Sequence, residues 1–420
     1  SLNEHSQPMD LEEARDALFA QLTPHSASEC IPLTQAHGRI TAEVVRAQLP
    51  LPPFPASAMD GYALRQQDAS NQETFRIVGQ SLAGHPFTGS IAAGECVRIF
   101  TGAVVPDGAD LIVLQEQVAE IVTAENDDKN VRFMPHKTDE DYIRPIGNDV
   151  QLGQQMTAPG DRLSPLLLGA LAAAGVCEIN VYRRPKVGIF SSGDELRDPG
   201  TPPEALALGQ IYDSNSFTLV SLLRHLPVEL ITLDRLPDDP DAVEEALAEA
   251  SRRCDMLITS GGVSVGDADF IGATIARLGQ LSFWRLNLKP GKPLAFGKIE
   301  DCWIFGLPGN PVSTIVTCLL LVMPSLHVLC GTVPKPLLRI SATLASPVSH
   351  RPGRAEYQRG IYSQNARLGS GLRVKHTGDQ GSNRLSTFAG ANCLIEIPKD
   401  SGDLDVGADV NILLLSDLLT

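Results

Sequence analysis

A chain of 420 residues with 43% hydrophobic and 20% charged residues has the composition of a folded globular protein of two to four domains. It carries 50 acidic against 34 basic side chains, a formal net charge of −16. That balance argues against binding to nucleic acid or to an anionic membrane surface. An anionic ligand would therefore need a local group of basic residues.

The eight cysteines contain no CxxC pair and lie mostly among apolar residues, as reduced core thiols do. The first ten residues lack the charged and apolar regions of a signal peptide. We therefore expect a cytoplasmic protein. Residues 311–330 are apolar, but Ser, Thr and Pro interrupt them, which favours a buried helix over a membrane span.

The first half of the chain predicts two domains. Amphipathic or capped helices at residues 10–22 and 164–174 indicate a discontinuous helical linker domain formed by residues 1–48 and 143–184. Between them, short β-branched or aromatic runs separated by Gly, Pro and Asp predict an inserted small β domain, residues 49–142.

The second half predicts two more. Strands and helices alternate over residues 185–331, which indicates an α/β domain with a parallel-type sheet covered by helices on both faces. Gly-rich alternating strands over residues 332–420 predict a C-terminal β barrel. The expected fold class is thus a multidomain α/β plus β protein.

Three turns in the α/β domain carry the features of an anion site. They are the glycine loop at 260–269, the Lys289-Pro-Gly-Lys-Pro293 loop, and Leu307-Pro-Gly-Asn-Pro-Val-Ser313 before a helix. Bare amides, a helix N-terminus and two ammonium groups suit phosphate or another oxyanion. Taken singly, each glycine turn is equally compatible with an ordinary structural role.

Acidic residues cluster near the same turns, including Glu195, Asp238, Asp239, Asp267 and Asp269. Carboxylates beside a phosphate repel it unless a hard cation bridges them, and Mg²⁺ is commonly held by carboxylates and substrate phosphates. The alternative is structural, with Asp239 as a helix cap and Glu195 at the surface. No HExxH motif and no recognisable His-centred nucleophile system supports zinc or hydrolase chemistry.

Six motifs together resemble the molybdopterin molybdenumtransferase (MoeA) family, which is similar to the gephyrin E domain. The motifs follow one another over nearly the whole chain, joined near its end by Pro352-Gly-Arg354 and Gly378-Asp-Gln-Gly-Ser382. The six are Pro53-Phe-Pro-Ala-Ser-Ala-Met-Asp-Gly-Tyr62, Ser192-Gly-Asp-Glu-Leu196, Ile211-Tyr-Asp-Ser-Asn215, Ser260-Gly-Gly-Val-Ser-Val-Gly-Asp-Ala-Asp269, Lys289-Pro-Gly-Lys-Pro293 and Leu307-Pro-Gly-Asn-Pro-Val-Ser313.

The resemblance implies a homodimer of four-domain subunits that transfers molybdenum from molybdate into adenylylated molybdopterin. Mg²⁺ would assist and AMP would be released. It also implies contact with the molybdopterin adenylyltransferase that makes the substrate. In the dimer, Asp60 of one subunit would approach the α/β pocket of the other.

The resemblance assigns roles by motif. The implied catalytic acids are Asp60, Asp149, Glu195, Asp238 and Asp269, of which Glu195, Asp238 and Asp269 would hold the metal. Molybdate would be bound by Lys289, Lys292, Pro293, Ser313, Arg354 and Ser382. The nucleotide and pterin would be bound by Asp213, Ser214, Gly261, Gly262, Ser264 and Gly266.

Two residues depart from the family pattern. Asn148 replaces a usual Glu, and Arg285 stands where Lys is common. Two other functions remain open alongside the insertion of molybdenum: a pterin-binding scaffold of the gephyrin type without turnover, and the preceding adenylylation reaction.

Overall fold

The computed structural model describes residues 7–24, 27–135, 139–261, 270–291, 294–364 and 371–420. Up to residue 144 the elements are mostly short strands. In order they are α1 (Leu11–Gln21), β1 (Ser28–Pro32), β2 (Ala56–Ser57), β3 (Gly61–Leu64), α2 (Gln66–Ala69), β4 (Thr74–Ser81), β5 (Glu95–Ile99), β6 (Leu111–Leu114), β7 (Val118–Thr123), β8 (Lys129–Phe133) and β9 (Ile143–Arg144).

Helices and strands then alternate as far as residue 330. The elements are α3 (Pro165–Ala173), β10 (Glu178–Tyr182), β11 (Lys186–Ser191), β12 (Leu196–Arg197), β13 (Ile211–Tyr212), α4 (Asn215–Leu223), β14 (Glu229–Thr232), α5 (Pro240–Arg253), β15 (Met256–Ser260), α6 (Phe270–Leu278), β16 (Gln280–Trp284), β17 (Leu288–Lys289), β18 (Leu294–Ile299), β19 (Cys302–Leu307), α7 (Pro311–Thr317) and α8 (Met323–Cys330).

The rest of the chain is again mostly β. It contains β20 (Ile340–Leu344), β21 (Ala355–Gln364), β22 (Leu372–His376), α9 (Ser386–Ala389), β23 (Cys393–Ile397), β24 (Asp409–Leu414) and α10 (Leu415–Leu418).

The inserted region forms one six-stranded sheet in the order β6-β3-β5-β4-β8-β7. Its core is aromatic: Phe133 packs edge-on against Tyr62 and also against Phe75, with ring centroids 5.4 Å and 5.9 Å away. The flanks of this region are joined by β1, which pairs antiparallel with β10.

The α/β region is a six-stranded sheet in the order β14-β11-β15-β19-β18-β16 with helices on both faces. Alternate residues of each strand enter opposite cores because side chains alternate across a strand. Met256 and Ile258 pack in the core that contains α4, α7 and α8, and Leu257 packs in the core that contains α5 and α6. This confirms the predicted three-layer architecture.

The sheet is not parallel throughout. Strands β14, β11, β15 and β19 run parallel, but β18 pairs antiparallel with both β19 and β16. The predicted parallel-type sheet did not include β18, which is joined to β19 by a tight turn with Glu300 at φ 52°. Two strands this close form a hairpin, which needs no crossover helix.

Helix α1 packs against the α/β region. Its face of Leu11, Ala14 and Leu18 enters the core of that region, and Tyr182 packs against the same cluster. Arg15, also buried, donates to the carbonyl oxygen of Leu320 at 2.6 Å. The helical periodicity of this segment was read correctly, but its partner is set by contacts far along the chain.

Residues 311–330 form one helical stretch with a π-helical turn at Cys318–Val322. By length and hydropathy this is the one helix in the described residues that could cross a bilayer. However, 89% of its apolar window is buried within the protein, as expected for the core helix of a globular domain.

The last region closes into the predicted barrel. Its five strands follow the order β21-β22-β20-β24-β23, and β23 pairs back to β21. The short strand β17 adds to the outside of β21 in parallel, aligning Lys289 with Glu356. This pairing fixes the lysine loop of the α/β region against the barrel.

Candidate functional site

A cleft of about 660 Å³ lies between the α/β region and the barrel. Three segments wall it: the β17 end with the turn after it, the start of α7, and barrel loops. Its described lining residues are Lys289, Pro290, Gly291, Asn310, Ser313, Pro347, Ser349, Arg354, Glu356, Gln358, His376, Gly378, Asp379, Gln380, Gly381 and Ser382.

Lys289 is held at the cleft by a buried acid. Its Nζ lies 3.5 Å from Oε1 of Glu356, and the lysine side chain is 53% exposed while the glutamate is 3% exposed. On the other side of Glu356, Nε2 of His350 lies 3.9 Å from Oε2. The ammonium group of Lys289 is therefore solvent-accessible in the cleft while Glu356 holds it in place.

The α7 end of the cleft is a helix start. Pro311 occupies the first turn of α7, where its missing N–H costs nothing. The Val312 N–H donates to the carbonyl oxygen of Ser382 at 3.1 Å, which docks the barrel loop on the helix. Ser313 lines the cleft although the residue is only 2% exposed. It would therefore contact a ligand only at the inner wall of the cleft.

One side chain ties together the turns at the carboxyl edge of the sheet. Asn215, the first residue of α4, donates from Nδ2 to Oγ of Ser260 at 2.8 Å and to the carbonyl oxygen of Gly309 at 2.9 Å. Gly261 beside it has φ 81°, and a Cβ there would lie 3.0 Å from the carbonyl oxygen of Ser192. Close backbone approach thus requires glycine at 261.

Asp213 and Ser214 precede α4 at the same edge. The buried Asp213 carboxylate accepts from the N–H and from Oγ of Ser216, at 3.1 Å and 2.7 Å, and lies 3.6 Å from Arg235 Nη2. Because these partners occupy its oxygens, Asp213 primarily fixes the start of the helix.

Carboxylates also converge beyond β11 and β14. A hydrogen bond with the Asp194 carboxyl raises the pKa of Asp238, and burial together with the charges of Asp194 and Glu195 adds to the rise. Among the described residues no three acid, imidazole or thiol groups are arranged to hold a metal by themselves. A cation here would therefore need ligands from a substrate or from residues beyond those described.

Asp60 and Asp149 lie outside this region. Asp60, before β3, accepts from the N–H and from Oγ1 of Thr101 at 2.8 Å and 2.9 Å. The backbone hydrogen bond and then the hydroxyl bond lower the pKa of Asp60. Asp149 is exposed in the segment after β9. Neither residue is among the described lining residues of the cleft.

The structure therefore brings together Lys289, Ser313, Arg354 and Ser382 from the residues expected to bind molybdate. It places Glu195 near Asp238, and Asp213, Ser214 and Gly261 at the sheet edge. Six other expected site residues lie outside the described part of the chain: Gly262, Ser264, Gly266, Asp269, Lys292 and Pro293.

Sequence reasoning left out Asp194, Asn215 and Glu356 as individual site residues. Asp194 and Asn215 stand inside motifs that were singled out, so their positions at loop ends could have indicated them. Glu356 lies two residues after Arg354, in a segment whose sequence gives no sign of a functional acid. Only the barrel fold shows that its carboxylate is buried beside Lys289.

The fold and cleft define a class of protein: a multidomain α/β protein with a cleft, lined in part by Lys289 and Arg354, where the α/β region meets a β barrel. Three family models match the chain in order. They are the MoeA N-terminal region (domain I and II) at residues 9–175, the probable molybdopterin binding domain at 188–328, and the MoeA C-terminal region (domain IV) at 341–415.

Relatives match over almost the entire chain. A molybdopterin molybdenumtransferase of Haemophilus influenzae is 40% identical over 98% of this chain and 100% of its own length. A gephyrin of Dictyostelium discoideum is 31% identical over 92% of this chain and 59% of its own. The crystal structure of a molybdopterin biosynthesis MoeA protein from Pyrococcus horikoshii superposes with a TM-score of 0.78, at 27% identity, over 97% of this chain and 100% of that chain.

The chain belongs to the molybdopterin molybdenumtransferase (MoeA) family and is a transferase of molybdenum cofactor biosynthesis. The resemblance seen in its motifs is thereby confirmed, as is the expected fold class.

Proposed function

We propose that this chain transfers molybdenum from molybdate into adenylylated molybdopterin and releases AMP with the assistance of Mg²⁺. The observation that carries the proposal is the shared cleft of Lys289, Arg354, Ser313 and Ser382. Molybdate is a tetrahedral dianion, and a set of fixed cationic and hydroxyl donors is complementary to it. Because the chain has a net charge of −16, a local group of basic side chains in one cleft indicates a specific anionic ligand.

The adenylylated pterin would lie along the carboxyl edge of the parallel strands, where ligands of such sheets bind. Gly261 allows the backbone at Ser192 to approach closely there, and Asn215 holds the neighbouring turns together. The turn at Gly309 leads directly to Asn310 and Ser313 in the cleft. This continuity would place a pterin beside the bound oxyanion.

Mg²⁺ would be held by Glu195 and Asp238, with Asp194 beside them and Asp269 as the further ligand expected from sequence. The raised pKa of Asp238 supports this assignment, since it reports crowded negative charge that a hard cation relieves. When bound, the ion would neutralise the phosphate charge that develops as AMP leaves.

A homodimer is part of the proposal because Asp60 and Asp149 do not line the cleft of their own chain. Asp149 is exposed and Asp60 is half-buried, and in the proposed dimer both would face a second subunit. The cytoplasmic location and the contact with the molybdopterin adenylyltransferase also remain proposals.

The test is an AMP-release assay on adenylylated molybdopterin with Mg²⁺ and molybdate each supplied or withheld. We expect release that requires both. Binding of the pterin without AMP release under any condition would favour the scaffold function. Transfer of AMP from ATP to metal-free molybdopterin would instead identify the preceding adenylylation as its reaction.

A further inference from the structure

Arg359 is a charged side chain that the barrel buries completely. It lies on β21, is 0% exposed, and is the largest of the fully buried side chains in the described part of the chain. Burial lowers the pKa of this guanidinium. Burying a charge costs free energy unless strong hydrogen bonds compensate. The hydrogen-bond partners of Arg359 must therefore supply that compensation.

Its partners are the carbonyl oxygens of one loop. Nη2 donates to Asp379 O at 3.2 Å and to Gly381 O at 3.0 Å, and Nη1 donates to Gln380 O at 3.2 Å. Oγ1 of Thr387 accepts from Nε at 3.1 Å and from Nη2 at 2.9 Å. The guanidinium thus gathers three successive carbonyl groups.

The same loop is fixed from two more directions. The Arg359 N–H donates to Oε1 of Gln380 at 2.8 Å, and Nε2 of Gln380 returns a bond to the Arg359 carbonyl oxygen at 3.3 Å. The carbonyl oxygen of Ser382 accepts from Val312 at the start of α7. All of residues 378–382 line the cleft.

The direction of the carbonyl groups sets the direction of the amides. In a trans peptide the N–H points opposite to the carbonyl group of the preceding residue. Carbonyl groups of 379, 380 and 381 that face Arg359 therefore turn the N–H groups of 380, 381 and 382 away from it.

Two of these N–H groups have no acceptor within the chain as described. The Gly381 N–H donates to Oδ1 of Asp379 at 2.8 Å, whereas those of Gln380 and Ser382 lack a partner among the described residues. Half-buried amides that face one side of a loop and lack acceptors can bind an anion.

We propose that Arg359 is a positioning residue for oxyanion binding, and that the N–H groups of Gln380 and Ser382 which it orients donate to the anion in the cleft. The inference rests on the proposed binding of molybdate at this cleft. Arg359 itself does not touch the ligand: it acts by holding three carbonyl groups on the far side of the loop.

The variant Arg359→Lys tests this, since lysine keeps the charge but cannot span three carbonyl groups. Arg15→Lys is a matched control: Arg15 is also buried and donates to two carbonyl oxygens, those of Leu320 and Lys335, away from the cleft. Molybdate affinity of the full chain would be measured by calorimetry, alongside thermal unfolding.

We expect Arg359→Lys to weaken molybdate binding at least tenfold, and Arg15→Lys to leave it within twofold even if both unfold at lower temperature. Equal weakening by both would show a general loss of stability and overturn the inference. Should Arg359→Lys fail to fold, Thr387→Val removes the hydroxyl that anchors the guanidinium, and we expect about a threefold loss.

Amide NMR of the wild-type chain distinguishes the role of the 378–382 loop from the binding of molybdate itself. Molybdate should shift the Gln380 and Ser382 amide signals. Binding that leaves both signals in place would overturn the role of the loop while the proposed function stands. No binding of molybdate at all would overturn the molybdate site, and this inference with it.

Discussion

The side-chain amide of Asn215 donates to the carbonyl oxygen of Gly309 at 2.9 Å, which ties the start of α4 to the turn before α7. The same Nδ2 reaches Oγ of Ser260 at 2.8 Å. One amide thus sets the spacing of three loops that contribute to the proposed pterin and molybdate sites.

Asn215→Ala should therefore affect both stability and binding. It removes one partly buried hydrogen bond, to Ser260, and one exposed bond, to Gly309, so we expect a loss of about 1 kcal/mol in unfolding free energy. Affinity for the adenylylated pterin should fall as well. Urea unfolding and pterin titration measure the two effects.

The control is Asn71→Ala, where an exposed side-chain amide donates to Gln67 O at 2.9 Å. This variant should change stability by no more than a few tenths of a kcal/mol. If Asn215→Ala binds the pterin like the wild type, Asn215 only stabilises the fold.

Lys289→Gln should weaken molybdate binding by about tenfold, which corresponds to about 1.4 kcal/mol. The reason is the loss of one positive charge from a cleft that also contains Glu356. The measurement is calorimetric titration at two salt concentrations, and the variant should show a smaller salt dependence.

Lys298→Gln is the matched charge loss away from the cleft, since Nζ of Lys298 lies over the Trp303 ring at 4.5 Å. It lowers the net charge of the chain equally. Equal weakening by the two substitutions would mean that the global field, rather than the cleft, attracts the anion.

Asp238→Asn should abolish the Mg²⁺-dependent release of AMP without lowering stability. The pKa of Asp238 is raised in the folded state, so the folded chain holds this proton more tightly than the unfolded chain. The ionised carboxylate therefore opposes folding as the pH rises through the raised pKa, and the protonated acid does not.

Thermal unfolding against pH checks this sign. The melting temperature of Asp238→Asn should equal or exceed that of the wild type near neutral pH, and the two should converge in acid. Asp239→Asn is the control, because Asp239 caps α5 and Asn caps equally well. If Asp238→Asn melts at a lower temperature than the wild type at neutral pH, the negative charges around Asp238 do not destabilise the folded chain.

Thr101→Val should raise the pKa of Asp60 part of the way back to its ordinary value. The hydroxyl bond is lost, while the backbone N–H of residue 101, the larger cause of the lowered pKa, remains. A depressed pKa keeps Asp60 ionised further into acid, so the acid limb of AMP release should move to higher pH in the variant.

Carboxylate NMR titration and the pH profile of AMP release measure this shift. Thr101→Ser retains the hydroxyl donor and should titrate like the wild type. An unchanged acid limb in Thr101→Val, despite a raised pKa of Asp60, would remove Asp60 from the reaction.

How much of this the sequence could predict depends on whether a feature is local. The α3 helix begins where a Ser-Pro pair predicts it, with Oγ of Ser164 accepting from the Leu167 N–H at 3.2 Å. The run of consecutive apolar residues 256–258 predicts a buried strand, and all of β15 is buried. The ordered motifs predicted the family. Such signals arise from neighbouring residues and need no distant partner.

Only the tertiary structure decided which distant groups meet. Lys289 shares the cleft with Arg354 and Ser382 because β17 pairs with β21 and because Val312 binds the loop after β22. The burial of Arg359 depends on closure of the barrel between β21 and β23. Pairing between strands far apart in the chain is selected by the packing of the whole domain, so residue type and spacing alone leave it undetermined.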